Sequence, residues 1–131
     1  MELVAIGTVH SSLTSRDDAP KQGDEGAPDA WLEIDPALAP GLEGIQAGDE
    51  LLILTWLDRA LRDVLKARPR NVGEPRGVFS TRSPDRPNPI GLHRATVLEL
   101  EGNRVHVHAL EALDGTPVLD LKPLLRSIEE R

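Results

Sequence analysis

Two strand-length runs, Ala95 to Glu101 and Arg104 to Leu110, meet at the dipeptide Gly102-Asn103. A two-residue connection of that kind joins only antiparallel neighbours, so this hairpin constrains the fold more than any other passage. In its second arm Val105, Val107 and Ala109 alternate with Arg104, His106 and His108, which predicts one face in a core and the other in solvent. Further strand-like runs lie at Leu3 to Val9, Ala30 to Ile34, Glu50 to Leu57, Gly77 to Thr81 and Pro117 to Lys122. The run Glu50 to Leu57 is continuously apolar after its first residue and is expected to be a central strand buried on both faces. Helical signals are weak. Pro36 to Gly48 favours turns or a brief helix, Ala60 to Ala67 fits a short helix or an irregular strand extension equally, and Leu124 to Arg131 could close as a short helix. Short strands with few, short helices predict an all-β fold, an antiparallel barrel or sandwich rather than a doubly wound sheet.

A chain of 131 residues suits one domain spanning 1–131. It has no apolar stretch near the roughly 20 residues needed to span a bilayer, and Met1-Glu2-Leu3-Val4 lacks the basic start of a secretory signal. A cytoplasmic protein with no membrane partner is the expectation. With Cys at 0, disulfides, thiol nucleophiles and thiolate metal sites are excluded. The formal net charge of −7 is unfavourable for a protein that works by neutralising phosphates. Three aromatic residues, Trp31, Trp56 and Phe79, are too few for stacking along a single strand. Only Lys21, Lys66 and Lys122 of the 15 basic residues are lysines. That bias suits bidentate contacts to carboxylate or phosphate, and a genomic base-composition bias would produce it equally well.

Ser11 to Pro28 is a long loop by composition, and loops of that length are usually functional or disordered. The segment Gly77 to Leu92 holds Pro84, Pro87 and Pro89 in six residues, which fixes φ and makes a stiff, irregular loop. Arg82, Arg86 and Asn88 on it offer fork donors and an amide to a carboxylate, phosphate or base edge. A proline-rich turn with solvated arginines explains the same residues. Asp114-Gly115-Thr116-Pro117 is a turn signal, and beyond it Asp120 and Lys122 share a strand face as an ordinary surface ion pair. His106-x-His108 has a spacing that metal sites use. His10 and His93 are remote in sequence and no third ligand is apparent, so a solvated polar face is the simpler reading and no metal is assigned. Dinucleotide, phosphate-loop and esterase-elbow motifs are missing from the sequence.

Taken together, Ile6-Gly7-x-Val9-x-Ser11, Pro20-Lys21-Gln22, the segment Gly77 to Leu92 and Asp114-Gly115-Thr116-Pro117-Val118-Leu119-Asp120-x-Lys122-Pro123 resemble the TsaA-like family, which includes the TrmO-type tRNA methyltransferases. The resemblance implies a small antiparallel β-barrel that binds S-adenosyl-L-methionine as a homodimer. It implies cofactor contacts at Pro20, Lys21, Gln22, Asp58, Arg59, Arg82, Leu92, Asp114, Gly115, Thr116 and Pro117. A methionine carboxylate suits Arg or Lys, and a sulfonium cation suits a nearby acid such as Asp114. Asp114 and Asp120 are the candidate proton acceptors for transfer to nitrogen. The implied acceptor is a tRNA anticodon stem-loop carrying threonylcarbamoyl-adenosine. The chain has Asp58-Arg59 where tRNA-modifying members have a His-Gln pair, and Lys122-Pro123-Leu124 where they have Lys-Pro-Tyr. It corresponds to a short form without the extra C-terminal domain. The alternatives are a non-catalytic S-adenosylmethionine-binding or sensing dimer and a methyltransferase for a small molecule.

Overall fold

Six antiparallel strands close a sheet on itself. The computed structural model describes residues 1–18, 26–69 and 73–125. Strands β1 (Gly7–His10), β2 (Ala30–Ile34), β3 (Glu50–Trp56), β6 (Ile90–Glu101), β7 (Arg104–Val107) and β8 (Pro117–Pro123) form a closed barrel in the order β1-β2-β7-β6-β3-β8. All of its pairings are antiparallel. A separate two-residue pairing joins β4 (Lys66–Ala67) to β5 (Arg76–Gly77).

Each barrel strand sends at least one fully enclosed side chain inward: Val9, Leu32, Ile53, Val97, Val105 and Val118. Burying a side chain of this size is worth about 1.5–3 kcal/mol, and period-2 alternation brings that gain from every strand to one core. The central hairpin forms as its sequence predicts. Gly102 takes φ +60°, which costs a residue without Cβ nothing, and Glu101 pairs with Arg104 across the turn. Asn103 then docks the turn on the end of β2, its Nδ2 donating to Ile34 O at 2.6 Å while its carbonyl accepts from Ile34 N at 2.9 Å.

Several expectations are corrected. The central strand β3 pairs with both β6 and β8, yet only Leu51, Ile53 and Thr55 are buried while Leu52, Leu54 and Trp56 are half-buried on the outer wall. A barrel strand has one interior face, so a continuous apolar run leaves half its side chains outside. The first strand starts at Gly7, and Leu3 and Val4 are exposed. Gly77 to Thr81 is mostly a 3-10 turn, Val78–Ser80, rather than a strand, whereas Pro36–Leu42 is the brief helix that its sequence allows. Of the two readings of Ala60 to Ala67 the structure takes the irregular one, turns and bends leading into β4 without a helix. Strand β7 stops at Val107 because Ala109 adopts φ 49°; the next enclosed position falls to Leu110. Leu124 and Leu125 are not helical, and the rest of the expected terminal helix lies outside the described residues. Among the described residues no helix is long and apolar enough to cross a membrane.

Because β1 and β3 both run antiparallel to β8, their C-terminal ends share one end of the barrel. The starts of β2, β6 and β8 and the end of β7 lie there too. The loops following His10, Trp56 and Val107 and the proline-rich segment before Ile90 therefore gather at one pole.

Candidate functional site

At that pole the Asp114-Gly115-Thr116-Pro117 turn is held from three directions. Asp114 N donates to Leu13 O at 2.7 Å, and Ser11 N donates to Asp114 Oδ1 at 3.0 Å. Gly115, at φ +84°, donates its N–H to Val9 O at 2.8 Å, and Val9 N donates to Thr116 O at 2.9 Å. Arg59 reaches across with Nη1 on Thr14 O at 2.9 Å and a long contact from Nη2 to Asp114 O at 3.5 Å. One guanidinium thus ties the loop after β3 to both the segment after β1 and the turn before β8.

The proline-rich segment is fastened beside it. Leu61 N donates to Asp85 Oδ1 at 2.9 Å, Arg86 N donates to Leu61 O at 3.0 Å, and Arg16 Nη2 donates to Asp85 Oδ2 at 3.3 Å. Burial pushes the Asp85 carboxyl up, but the Leu61 N–H and the Arg16 guanidinium outweigh it and hold the group below the ordinary carboxylate range. Arg86 is a structural clamp. Its Nη1 donates to Thr81 O at 2.9 Å and Ser83 O at 3.1 Å, and its Nη2 donates to Val78 O at 2.9 Å. Arg62 lies over Trp56 at 5.1 Å from the ring centroid and donates to Pro87 O at 2.8 Å and Asn88 Oδ1 at 3.1 Å. Asn88 is therefore engaged within the fold, and Arg82 is the exposed arginine of the segment.

Beneath the loops lies a buried polar chain. Thr55 Oγ1 is 2.7 Å from His93 Nε2, and His93 Nδ1 is 2.5 Å from Glu111 Oε1. With Glu111 ionised, Nδ1 carries the donated proton and Nε2 accepts from the Thr55 hydroxyl. Gly91 lies against this chain so closely that a Cβ there would be 2.3 Å from Thr55 Oγ1 and 2.8 Å from His93 Nε2. Sequence reasoning set His93 aside as remote and did not select Thr55 or Glu111. A signal existed: Gly91, His93, Ala95 and Val97 alternate along β6, so extending the strand back to Ile90 would have turned His93 inward.

The expected site residues do not all converge. Asp58, Arg59, Asp114, Gly115, Thr116 and Pro117 belong to the clasped pole, with Asp58 exposed and Thr116 buried. Leu92 pairs with Leu54 and is 47% exposed on the outer wall. Asp120 pairs with Lys122 at 3.2 Å and also accepts from Leu121 N at 2.9 Å. It lies along β8 opposite Leu54, away from the turn. Pro20, Lys21 and Gln22 lie outside the described residues. The two histidines of His106-x-His108 serve different partners: His106 stacks on Trp31 at 4.3 Å, while His108 Nδ1 pairs with Asp29 Oδ1 at 2.8 Å. Ala109 N–H holds the Asp29 carboxyl below its ordinary value against a smaller opposing effect of burial, and His108 adds to the lowering. A shallow cavity of about 400 Å³ opens at the opposite pole near Gly48, Asp49, Glu50, Thr96 and Pro123, and none of the clasped residues lines it.

Residues 8–130 match the model of the tRNA-methyltransferase O N-terminal domain. An S-adenosyl-L-methionine-binding protein of Archaeoglobus fulgidus is 45% identical, covering 93% of this chain and 88% of the relative. A probable S-adenosyl-L-methionine-binding protein, VirR, of Rhizobium radiobacter is 43% identical over 92% of this chain and 69% of its own length. The crystal structure of TrmO from P. aeruginosa superposes with a TM-score of 0.77 at 28% identity, covering all of this chain (100%) and 59% of that one.

Proposed function

Because the chain belongs to the family of the tRNA-methyltransferase O N-terminal domain, we propose that it is an S-adenosylmethionine-dependent methyltransferase acting at the clasped pole of the barrel. One observation carries this reading. The segments holding Arg59, the Pro84 to Pro89 loop and the Asp114 turn, which lie far apart in sequence, are joined there by direct hydrogen bonds. The donor set fits the cofactor's chemistry. Asp58 and Asp114 offer carboxylates to a cation and a free amine, Arg82 offers a fork to a carboxylate, and the backbone of the Gly115 turn suits a base edge. Bound there, S-adenosylmethionine supplies an electrophilic methyl group on sulfur. The protein's task is then to align an acceptor in a site already stiffened by proline and by the Arg86 clamp, since alignment and preorganisation carry most of such a rate gain.

The family precedent makes a tRNA anticodon stem-loop the proposed acceptor and a homodimer the working form. Leu52, Leu54, Trp56, Ile90 and Leu92 leave an apolar strip on the outer wall beside the pole, which suits a symmetric partner. A second reading, binding without turnover, is favoured by relatives at 45% and 43% identity that are named only as binding proteins. Calorimetry with S-adenosylmethionine, followed by transfer of a labelled methyl group to unmodified and threonylcarbamoylated tRNA, separates them. Binding with transfer supports the enzyme, binding without transfer to either RNA supports the second reading, and no heat at millimolar ligand overturns both. Arg82→Ala should weaken cofactor binding by about 1.5–3 kcal/mol, the worth of a charged hydrogen bond.

A further inference from the structure

The Thr55–His93–Glu111 chain is the cluster of buried polar groups at this pole that cofactor binding leaves without a task. Its ends differ. Thr55 is 0% exposed and His93 7%, while the Glu111 side chain is 14% exposed. Sealed in this way, and with Gly91 pressed against its hydroxyl, Thr55 is closed to a substrate and cannot act as a nucleophile. Glu111 stands three residues before Asp114, on the segment that crosses the pole from β7 to the clasped turn. The chain therefore runs from the barrel interior outward to a partly exposed carboxylate on the segment that leads into the clasped turn. Asp114 is engaged by Ser11 N in holding the turn, and Asp120 lies with Lys122 on the outer wall.

We propose that Glu111 takes the proton that leaves the acceptor nitrogen during methyl transfer, with His93 and Thr55 as positioning residues that keep its carboxylate ready. This rests on the methyltransferase reading above. In the step the N–C bond forms as the C–S bond breaks with its electron pair left on sulfur. The N–H bond then breaks, its pair stays on nitrogen, and the proton goes to the Glu111–His93 pair. The electrostatics favour that destination. An ionised Glu111 beside a neutral imidazole is a partly buried negative charge, which is costly to leave uncompensated. Either a proton on the Glu111 carboxylate, giving a pair without net charge, or a cation bound alongside relieves it. A cationic ligand and a proton thus compete for one site of negative charge, and loss of the ligand's positive charge draws the proton in.

The test follows from that competition. S-adenosylmethionine carries the sulfonium cation; S-adenosylhomocysteine is a neutral thioether with the same amine, carboxylate and adenine, and below about pH 7 both amines stay protonated, so there their own titrations drop out of the ratio of the two affinities. Calorimetry of both ligands from about pH 5.5 to 7.0 should show preference for the sulfonium rising with pH by at least about fivefold overall, against a limit of about tenfold per pH unit for one displaced proton. Other titratable or charged groups at this pole are Arg16, Asp58, Arg59, Arg62, Arg82, Asp85, Arg86, Asp114 and the Asp29–His108 pair, with His10–Glu33 on the neighbouring wall. Glu111→Gln, which keeps the side-chain size, should give a flat ratio, and His108→Asn should leave the rise intact. On the wild-type protein, the ¹³C chemical shift of the Glu111 carboxyl should move towards the ionised form with S-adenosylmethionine and not with S-adenosylhomocysteine. Equal pH profiles for the two ligands, or a rise that survives Glu111→Gln, overturns the proposal while leaving cofactor binding in place. Failure of both ligands to bind overturns the methyltransferase reading and this inference with it.

Discussion

Replacing Gly91 by alanine tests how tightly the buried polar chain is built into the barrel. The added Cβ would sit 2.3 Å from Thr55 Oγ1, 2.8 Å from His93 Nε2 and 3.1 Å from Leu57 Cδ2, so something must move. Overpacking of a well-filled interior costs about 1–3 kcal/mol. Displacing the Thr55 hydroxyl from His93 leaves a buried donor without its partner, about 1–3 kcal/mol more. The smaller conformational freedom of alanine in the unfolded chain offsets about 0.4–1 kcal/mol. The expected net loss is about 2–4 kcal/mol. In urea, where a small domain loses about 1–3 kcal/mol of stability per molar denaturant, that is a midpoint lowered by about 1–2 M with an unchanged slope. Thr55→Ala removes the oxygen that the new methyl strikes, so the double variant should be more stable than the sum of the single losses by at least about 1 kcal/mol. A loss below about 0.5 kcal/mol in Gly91→Ala, or strict additivity in the cycle, would refute the close-packing argument.

Arg86→Ala leaves the carbonyls of Val78, Thr81 and Ser83 without their charged donor, and a stability loss of about 2–3 kcal/mol with faster proteolysis in the proline-rich segment is expected; an unchanged midpoint would return Arg86 to a solvated role. Asp29 and Asp85 both have carboxyl groups held below the ordinary range, so their stabilisation is complete above the unfolded-state value near pH 4 and is lost as pH falls through their depressed folded values. Acid titration followed by side-chain carboxyl NMR should show both protonating below the ordinary aspartate value, and titration at or above that value would contradict the geometry. Leu54→Glu places a charge in the apolar strip formed with Leu92 and should convert a dimer into a monomer by light scattering without lowering the urea midpoint; a wild-type monomer at tens of micromolar with ligand present would remove the strip from any interface.

The sequence alone determined the parts of this protein that depend on neighbours a few residues apart. Alternation of Val105 and Val107 with Arg104 and His106, and the Gly102-Asn103 turn between two apolar runs, are local patterns, and strand and hairpin follow directly from them. The strand Ala30–Ile34 and the ion pair of Asp120 with Lys122 were legible for the same reason. Closure and function depend on distant pairs. Arg59 meets Thr14 and Asp114 across 45 and 55 residues, Arg16 meets Asp85 across 69, and the Thr55–His93 bond spans 38. No spacing rule links such positions; only the closed strand order brings them to one pole. The tertiary structure also decided which of two similar arginines serves the fold. Arg82 and Arg86 sit four residues apart on one stiff loop, yet three carbonyls converge on Arg86, while Arg82 is exposed. Likewise the apolar run of β3 carried no mark of which residues would be interior. Barrel closure gives each strand one inner face, so Ile53 entered the core while Leu54 was left on the outer wall.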